Sequence, residues 1–239
     1  MAGTVLTGVS FLQKGRGKDL LFLHGYLSSK EAFTAQIDYF SRFYRVTAID
    51  FLGFGQSAPL ESAFSVEDYA DWLLALFPAL HLKKPHVIAH SFGVRVAVKA
   101  AAKYAGELDK LVLTGPAGVI INRGFKYKMR VKTYRLVKKI APAFAERKFG
   151  SAEYRTLSNI MKESYKKIVN EDLREQAKRV QNQVLIVQGK TDATTTEQEA
   201  RIYLQSFPNA RLAHIDGAHF AFAENPLAFN LLAEEFLYD

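Results

Sequence analysis

The 239-residue chain reads as an α/β protein: a mainly parallel, eight-stranded sheet flanked by helices, with a helical insertion. Three observations predict this. Apolar runs without polar alternation (Leu20–Leu23, Val87–Ala89, Val184–Val187) fit strands buried on both faces. Segments of helical periodicity separate such runs one by one. From about 117 to 181 the alternation stops and only helical pattern remains. The chain therefore divides into a core of 1–116 and 182–239 and an insertion of 117–181. With 49% hydrophobic residues it can fill one large core.

The elements follow in order. A β-hairpin is expected from Thr4 to Leu12, turning at Thr7-Gly8. Lys14-Gly15-Arg16-Gly17 leads into the Leu20–Leu23 strand, which ends in His24-Gly25-Tyr26. Helical pattern covers Lys30 to Phe40, and a strand then runs from Val46 to Asp50. Ser65 to Leu80 is helical, with Ser65 as N-cap and Asp68 three residues on, close to a capping box. The Val87–Ala89 strand precedes an Ala-rich helix from Val94 to Tyr104. Lys110 to Thr114 is a strand closed by Gly115-Pro116. After the insertion come a strand over Val184–Val187, a helix from Thr196 to Ser206, a strand over Arg211–Ile215 and a last helix from Pro226 to Leu237.

Ser91 lies between a strand and a helix in Ala89-His90-Ser91-Phe92-Gly93. Small residues two before and two after the serine are what a sharp turn holding its hydroxyl above the sheet requires. A Ser N-cap after a buried strand gives the same local pattern. Its potential partners decide between the two. Activating a serine needs a base and a carboxylate that orients it. The Val184–Val187 strand opens into Gln188-Gly189-Lys190-Thr191-Asp192, and Ile215-Asp216-Gly217-Ala218-His219 follows the next strand. Loops at one edge of a parallel sheet converge on one crevice, so Ser91, Asp192 and His219 can meet there. Taken singly, Asp192 could cap the next helix and His219 could be a surface residue; three suitable residues at strand ends favour a triad. The Phe92 N–H at a helix start, and the Tyr26 N–H after His24-Gly25, are the expected oxyanion donors. His24, Asp50, Gly53 and Gly55 are read as loop-shaping. The short Gly-x-Gly lacks the third glycine and following helix of a nucleotide fingerprint.

These motifs (His24-Gly25, Asp50-x-x-Gly53-x-Gly55-x-Ser57, His90-Ser91-x-Gly93, Gly189-x-x-Asp192 and Asp216-Gly217-x-His219) resemble the α/β-hydrolase superfamily over almost the whole chain and in the family's order. A serine nucleophile separates the chain from the dehalogenase and epoxide-hydrolase branches. The resemblance implies an esterase-like serine hydrolase with a Ser91–His219–Asp192 triad, no cofactor, a small-molecule substrate, and residues 117–181 as a cap over the site. A narrower similarity covers His24-Gly25-Tyr26-Leu27-Ser28-Ser29 and Ser91-Phe92-Gly93-Val94-Arg95. It points to the family of 2-succinyl-6-hydroxy-2,4-cyclohexadiene-1-carboxylate synthases, where the arginine at the position of Arg95 binds a substrate carboxylate. The alternative reading is therefore a cofactor-free C–C hydrolase or lyase on a carboxylated substrate.

Charge and composition narrow the classes further. Between Arg123 and Lys148 ten Lys and Arg face one Glu, a local excess above the whole chain's net +8. There Lys128, Lys132, Arg135 and Lys139 form a basic stripe, while Tyr127, Val131, Tyr134 and Ala141 form an apolar one. A solvated cap face, attraction of anionic substrates and docking on an anionic membrane surface all fit this stripe; nucleic acid is not expected. With no cysteine, disulfides and thiol chemistry are excluded. The scattered histidines predict no metal site. No basic leader with a long apolar run, and no membrane-length apolar run, is seen. The expected location is cytoplasmic. Oligomeric state is left open.

Overall fold

Asp19–Leu23 and His86–His90 expose no residue to solvent, because both faces of their sheet are covered by helices. In the computed structural model, which describes residues 6–121, 154 and 156–238, these two strands are the centre of the molecule. The strands are β1 (Phe11–Lys14), β2 (Asp19–Leu23), β3 (Arg45–Ile49), β4 (His86–His90), β5 (Leu111–Thr114), β6 (Val184–Gly189) and β7 (Ala210–Ile215). Their order is β1-β3-β2-β4-β5-β6-β7. β1 runs antiparallel to β3, and all other pairs are parallel.

Side chains alternate between faces with period two. Leu21, Leu23, Val87, Ala89, Leu111 and Leu113 pack into one core; Leu20, Phe22, Ile88 and Val112 pack into the other. The helices are α1 (Thr34–Phe40), α2 (Val66–Leu80), α3 (Phe92–Lys103), α4 (Asn159–Val169), α5 (Arg174–Ala177), α6 (Glu197–Ser206), α7 (Ala221–Glu224) and α8 (Pro226–Tyr238). The first core takes its helical side from α2, α3, α4, α5 and α6. The second takes its side from α1, α7 and α8. Strand order reverses between β2 and β4, so the loops after their carboxyl ends open at the topological switch point, where ligands bind in open α/β sheets.

Local signals explain two helix starts. The Ser65 hydroxyl accepts the Asp68 N–H at 3.2 Å while the Asp68 carboxylate accepts the Ser65 N–H at 2.7 Å, a complete capping box at the start of α2. Thr196 and Glu199 form a second at α6.

Three expectations are revised. The Lys30–Phe40 helix is a 3-10 turn over Lys30–Phe33 and then α1, because Asp50 holds both the backbone and side chain of Lys30. The sheet has seven strands among the described residues, not eight. The expected hairpin starts at Thr4, outside the described residues, and its turn over Leu6–Gly8 leads to the single strand β1. The short helix α7, just after His219, was not anticipated. Between β5 and β6 the described residues contain α4 and α5 and no strand. The basic stripe around Lys128–Lys139 lies outside the described residues.

Candidate active site

β4 ends at His90 and α3 begins at Phe92, so Ser91 alone makes the turn. Its backbone sits at φ 49°, ψ −104°, a strained conformation for a residue with a side chain. The Ser91 N–H donates to the Thr114 carbonyl at 3.0 Å, fastening the turn to the end of β5. A Cβ on Gly93 would run into the Leu23 carbonyl oxygen, so the start of α3 can press against β2 only without a side chain there.

Asp192 follows β6 and its carboxylate is fully buried. One oxygen, Oδ1, accepts the N–H groups of Thr194 (2.7 Å) and Thr195 (3.0 Å) and closes the turn. The other, Oδ2, accepts the Thr195 hydroxyl at 2.7 Å and lies 2.9 Å from His219 Nδ1. Turn-capping and ring-orienting thus use different oxygens of one residue. Burial alone would raise the Asp192 pKa; the bonds from His219 and Thr195 outweigh it and hold the carboxyl below its ordinary value. An ionised acceptor at Oδ2 puts a ring hydrogen on Nδ1; in the neutral ring that tautomer has its lone pair on Nε2.

Ser91 and His219 each neighbour the end of β5. Thr114 holds the serine backbone, and a Cβ on the next residue, Gly115, would lie 3.0 Å from His219 Cε1. Carboxylate and ring are hydrogen-bonded; among the described residues the Ser91 hydroxyl makes no hydrogen bond to the ring.

The two expected oxyanion donors lie on neighbouring strand ends, Tyr26 after β2 and Phe92 after β4. Neither N–H donates to a protein acceptor among the described residues. Their rings meet edge-on at 5.6 Å. Leu27, beside Tyr26, is a second strained residue at φ 55°.

Behind this loop His24 is fully buried. Its Nδ1 donates to the Gly25 carbonyl at 2.7 Å and its Nε2 accepts the Phe51 N–H at 3.0 Å. Burial pushes its pKa down to about 4, so it is a neutral brace. Asp50 has the loop-shaping role expected of it. Its carboxylate accepts from Lys30 N, Lys30 Nζ and Gln56 N at 2.7, 2.8 and 3.0 Å, and a Cβ on Gly55, at φ 54°, would overlap that carboxylate.

Arg95, one turn into α3, points toward the insertion. Its Nη1 donates to the carbonyls of Ile168 and Glu171, both at 2.9 Å, at the carboxyl end of α4. Lys99, one turn further on, bonds the Glu171 carboxylate at 2.6 Å. From α4, Met161 accepts the Tyr26 hydroxyl at 3.3 Å, and Tyr165 meets the Tyr26 ring at 5.2 Å.

Two residues of the site carried no assigned role in the sequence. Thr195 is legible only as a hydroxyl three residues after an aspartate, a common turn pattern. His90 stands next to the serine; its ring packs 4.7 Å from that of His219, and its Nε2 lies 3.0 Å from the His219 carbonyl. Among the described residues no three His, Cys, Asp or Glu side chains gather to hold a metal ion, and no helix is long and apolar enough to cross a membrane.

Comparison with known proteins bears on the fold. A family profile described as "alpha/beta hydrolase fold" matches residues 19–134. The chain is 30% identical over 131 residues to a probable lysophospholipase, BODYGUARD 3, of Arabidopsis thaliana, covering 52% of this chain and 26% of that one. It is 34% identical over 83 residues to (E)-2-((N-methylformamido)methylene)succinate hydrolase of Acinetobacter baylyi, covering 35% and 32%. The matched stretches thus span about a quarter to a third of these two relatives. The structure of olei00960, a hydrolase from Oleispira antarctica, superposes with a TM-score of 0.81 at 20% identity, covering 100% of this chain and 97% of the other. By the profile match over residues 19–134 and by superposition, the chain has the α/β-hydrolase fold.

Proposed function

We propose that the protein is a serine hydrolase that cleaves carboxylic esters through an acyl-enzyme. The observation that carries this reading is the 2.9 Å bond between His219 Nδ1 and a buried, ionised Asp192, beside a serine in a strained strand-to-helix turn. In this reading His219 Nε2 takes the Ser91 proton as Oγ attacks the carbonyl carbon. The Tyr26 and Phe92 N–H groups receive the oxyanion, each worth about 3–4 kcal/mol by analogy with measured donors. His219 then returns the proton to the leaving alcohol. Water, deprotonated by the same ring, releases the acid and restores Ser91. Asp192 keeps the ring in the required tautomer and balances the imidazolium. Catalytic hydrogen bonds commonly tighten only once substrate is bound, which fits a ring–carboxylate bond already made and a hydroxyl–ring bond still to form.

Residues 117–181 act as a cap in this account. The contacts of α4 with Tyr26 through Met161 and Tyr165 support that role. The reading that gives Arg95 to a substrate carboxylate gains no support from its contacts, since Nη1 already serves two cap carbonyls. Steady-state hydrolysis of p-nitrophenyl esters of graded chain length tests the proposal. Wild-type turnover should fall by at least about a thousandfold in Ser91→Ala. A Ser91→Ala variant that keeps wild-type turnover rules the mechanism out.

A further inference from the structure

His90 has no step in that reaction, yet its ring packs against His219 and faces Gly25. It is 1% exposed. Its Nε2 lies 3.0 Å from the His219 carbonyl. A carbonyl only accepts, so Nε2 carries the hydrogen and donates it. Burial pushes the pKa of His90 down to about 3, so Nδ1 is bare at neutral pH. That nitrogen is buried with no hydrogen-bond partner. It faces Gly25, where a Cβ would come within 2.7 Å of it. His219, Phe220 and Phe222 surround the ring with centroids at 4.7, 4.7 and 4.9 Å.

The ring therefore stands between two loops. On one side is Gly25, which precedes the oxyanion donor Tyr26. On the other is the backbone of His219. Ser91 follows directly in the chain. A hydrocarbon ring would fill the same space without burying an unpartnered nitrogen, which is unfavourable. What a hydrocarbon cannot do is donate to the His219 carbonyl.

We propose that His90 is a positioning residue: its Nε2–H bond to the His219 carbonyl and its packing against Gly25 set the spacing of the base and the oxyanion loop on either side of Ser91. This rests on the assignment of Ser91, His219 and Asp192 above. Such spacing acts on the chemical step more than on binding, because a displacement of about 1 Å in reacting groups costs on the order of a hundredfold in rate.

The test compares His90→Gln, His90→Asn and His90→Phe by kcat and KM on p-nitrophenyl butyrate, with thermal melting alongside. The Gln amide reaches the position of Nε2; the Asn amide stops at the level of Nδ1; Phe keeps the ring and loses the donor. His90→Asn and His90→Phe should lose about tenfold to a hundredfold in kcat with KM within about twofold, while His90→Gln stays within about fivefold of wild type. If His90→Phe fails to fold, the Gln-against-Asn comparison decides alone. Equal kcat in Gln and Asn variants, whether both high or both low, overturns the inference. A wild-type chain that turns over no ester and whose Ser91 takes up no fluorophosphonate sinks the underlying hydrolase reading instead; an active wild type indifferent to His90 sinks only this one.

Discussion

Asp192 divides its work between two oxygens, and that division makes a sharp prediction. Replacing it by Asn leaves an amide that can still close the turn through its carbonyl but no longer fixes the hydrogen on His219 Nδ1. Asp192→Asn should retain the fold by circular dichroism and lose about ten-thousandfold in kcat; near-wild-type turnover would remove Asp192 from the mechanism. The residues that could be read in the sequence are those whose type and position are set by geometry: a serine with small flanks, a carboxylate and an imidazole at successive strand ends. His90 and Thr195 were not readable as site residues because their roles depend on which backbone or ring they face, and neighbouring sequence does not encode that. Arg95 is the instructive case. Its place one turn after Ser91 was legible, but its carbonyl partners lie more than seventy residues away.

At the scale of elements, periodicity and caps located the strands and helices to within a few residues. Failures came where a tertiary contact overrode local preference. The Lys30–Phe33 turn is tightened because Lys30 is tied to buried Asp50. The Ser65–Asp68 box was legible because both partners lie within one turn. Ser65→Ala should lower stability by about 1 kcal/mol, read from the urea midpoint, with activity unchanged; an unshifted midpoint would contradict the cap's contribution. Arg95 and Lys99 join the nucleophile helix α3 to the carboxyl end of α4 and to Glu171. Arg95→Met should therefore weaken turnover of neutral and anionic esters alike, by loosening α4 from α3. A loss confined to anionic esters would instead assign the guanidinium to substrate.

For the whole molecule, buried histidines set the acid limit. Burial holds His24 and His86 at about 4 and His90 at about 3, whereas an unfolded histidine titrates near 6.5. The unfolded chain binds more protons throughout that interval. Stability is then fully present above pH ~6.5 and declines as pH falls toward the folded values, with each histidine contributing up to about 1.4 kcal/mol per pH unit. Asp50 and Asp192 are held below their ordinary values, so their contribution is present above the unfolded carboxylate value of about 3.9 and is lost only below it. The urea midpoint should accordingly drop between about pH 6.5 and pH 4.5, ahead of the carboxylates; a flat midpoint across that range would show that these rings are not buried neutral. The two-faced sheet was legible as continuous apolar runs, whereas the strand count was not, because an edge strand such as β1, exposed along its whole length, leaves only a faint pattern. The central claim is that Ser91 is an activated nucleophile. Its most direct test is fluorophosphonate labelling of the folded chain with peptide mass spectrometry: a single adduct on Ser91, greatly slowed by His219→Asn, is expected, and a folded, unlabelled Ser91 would contradict it.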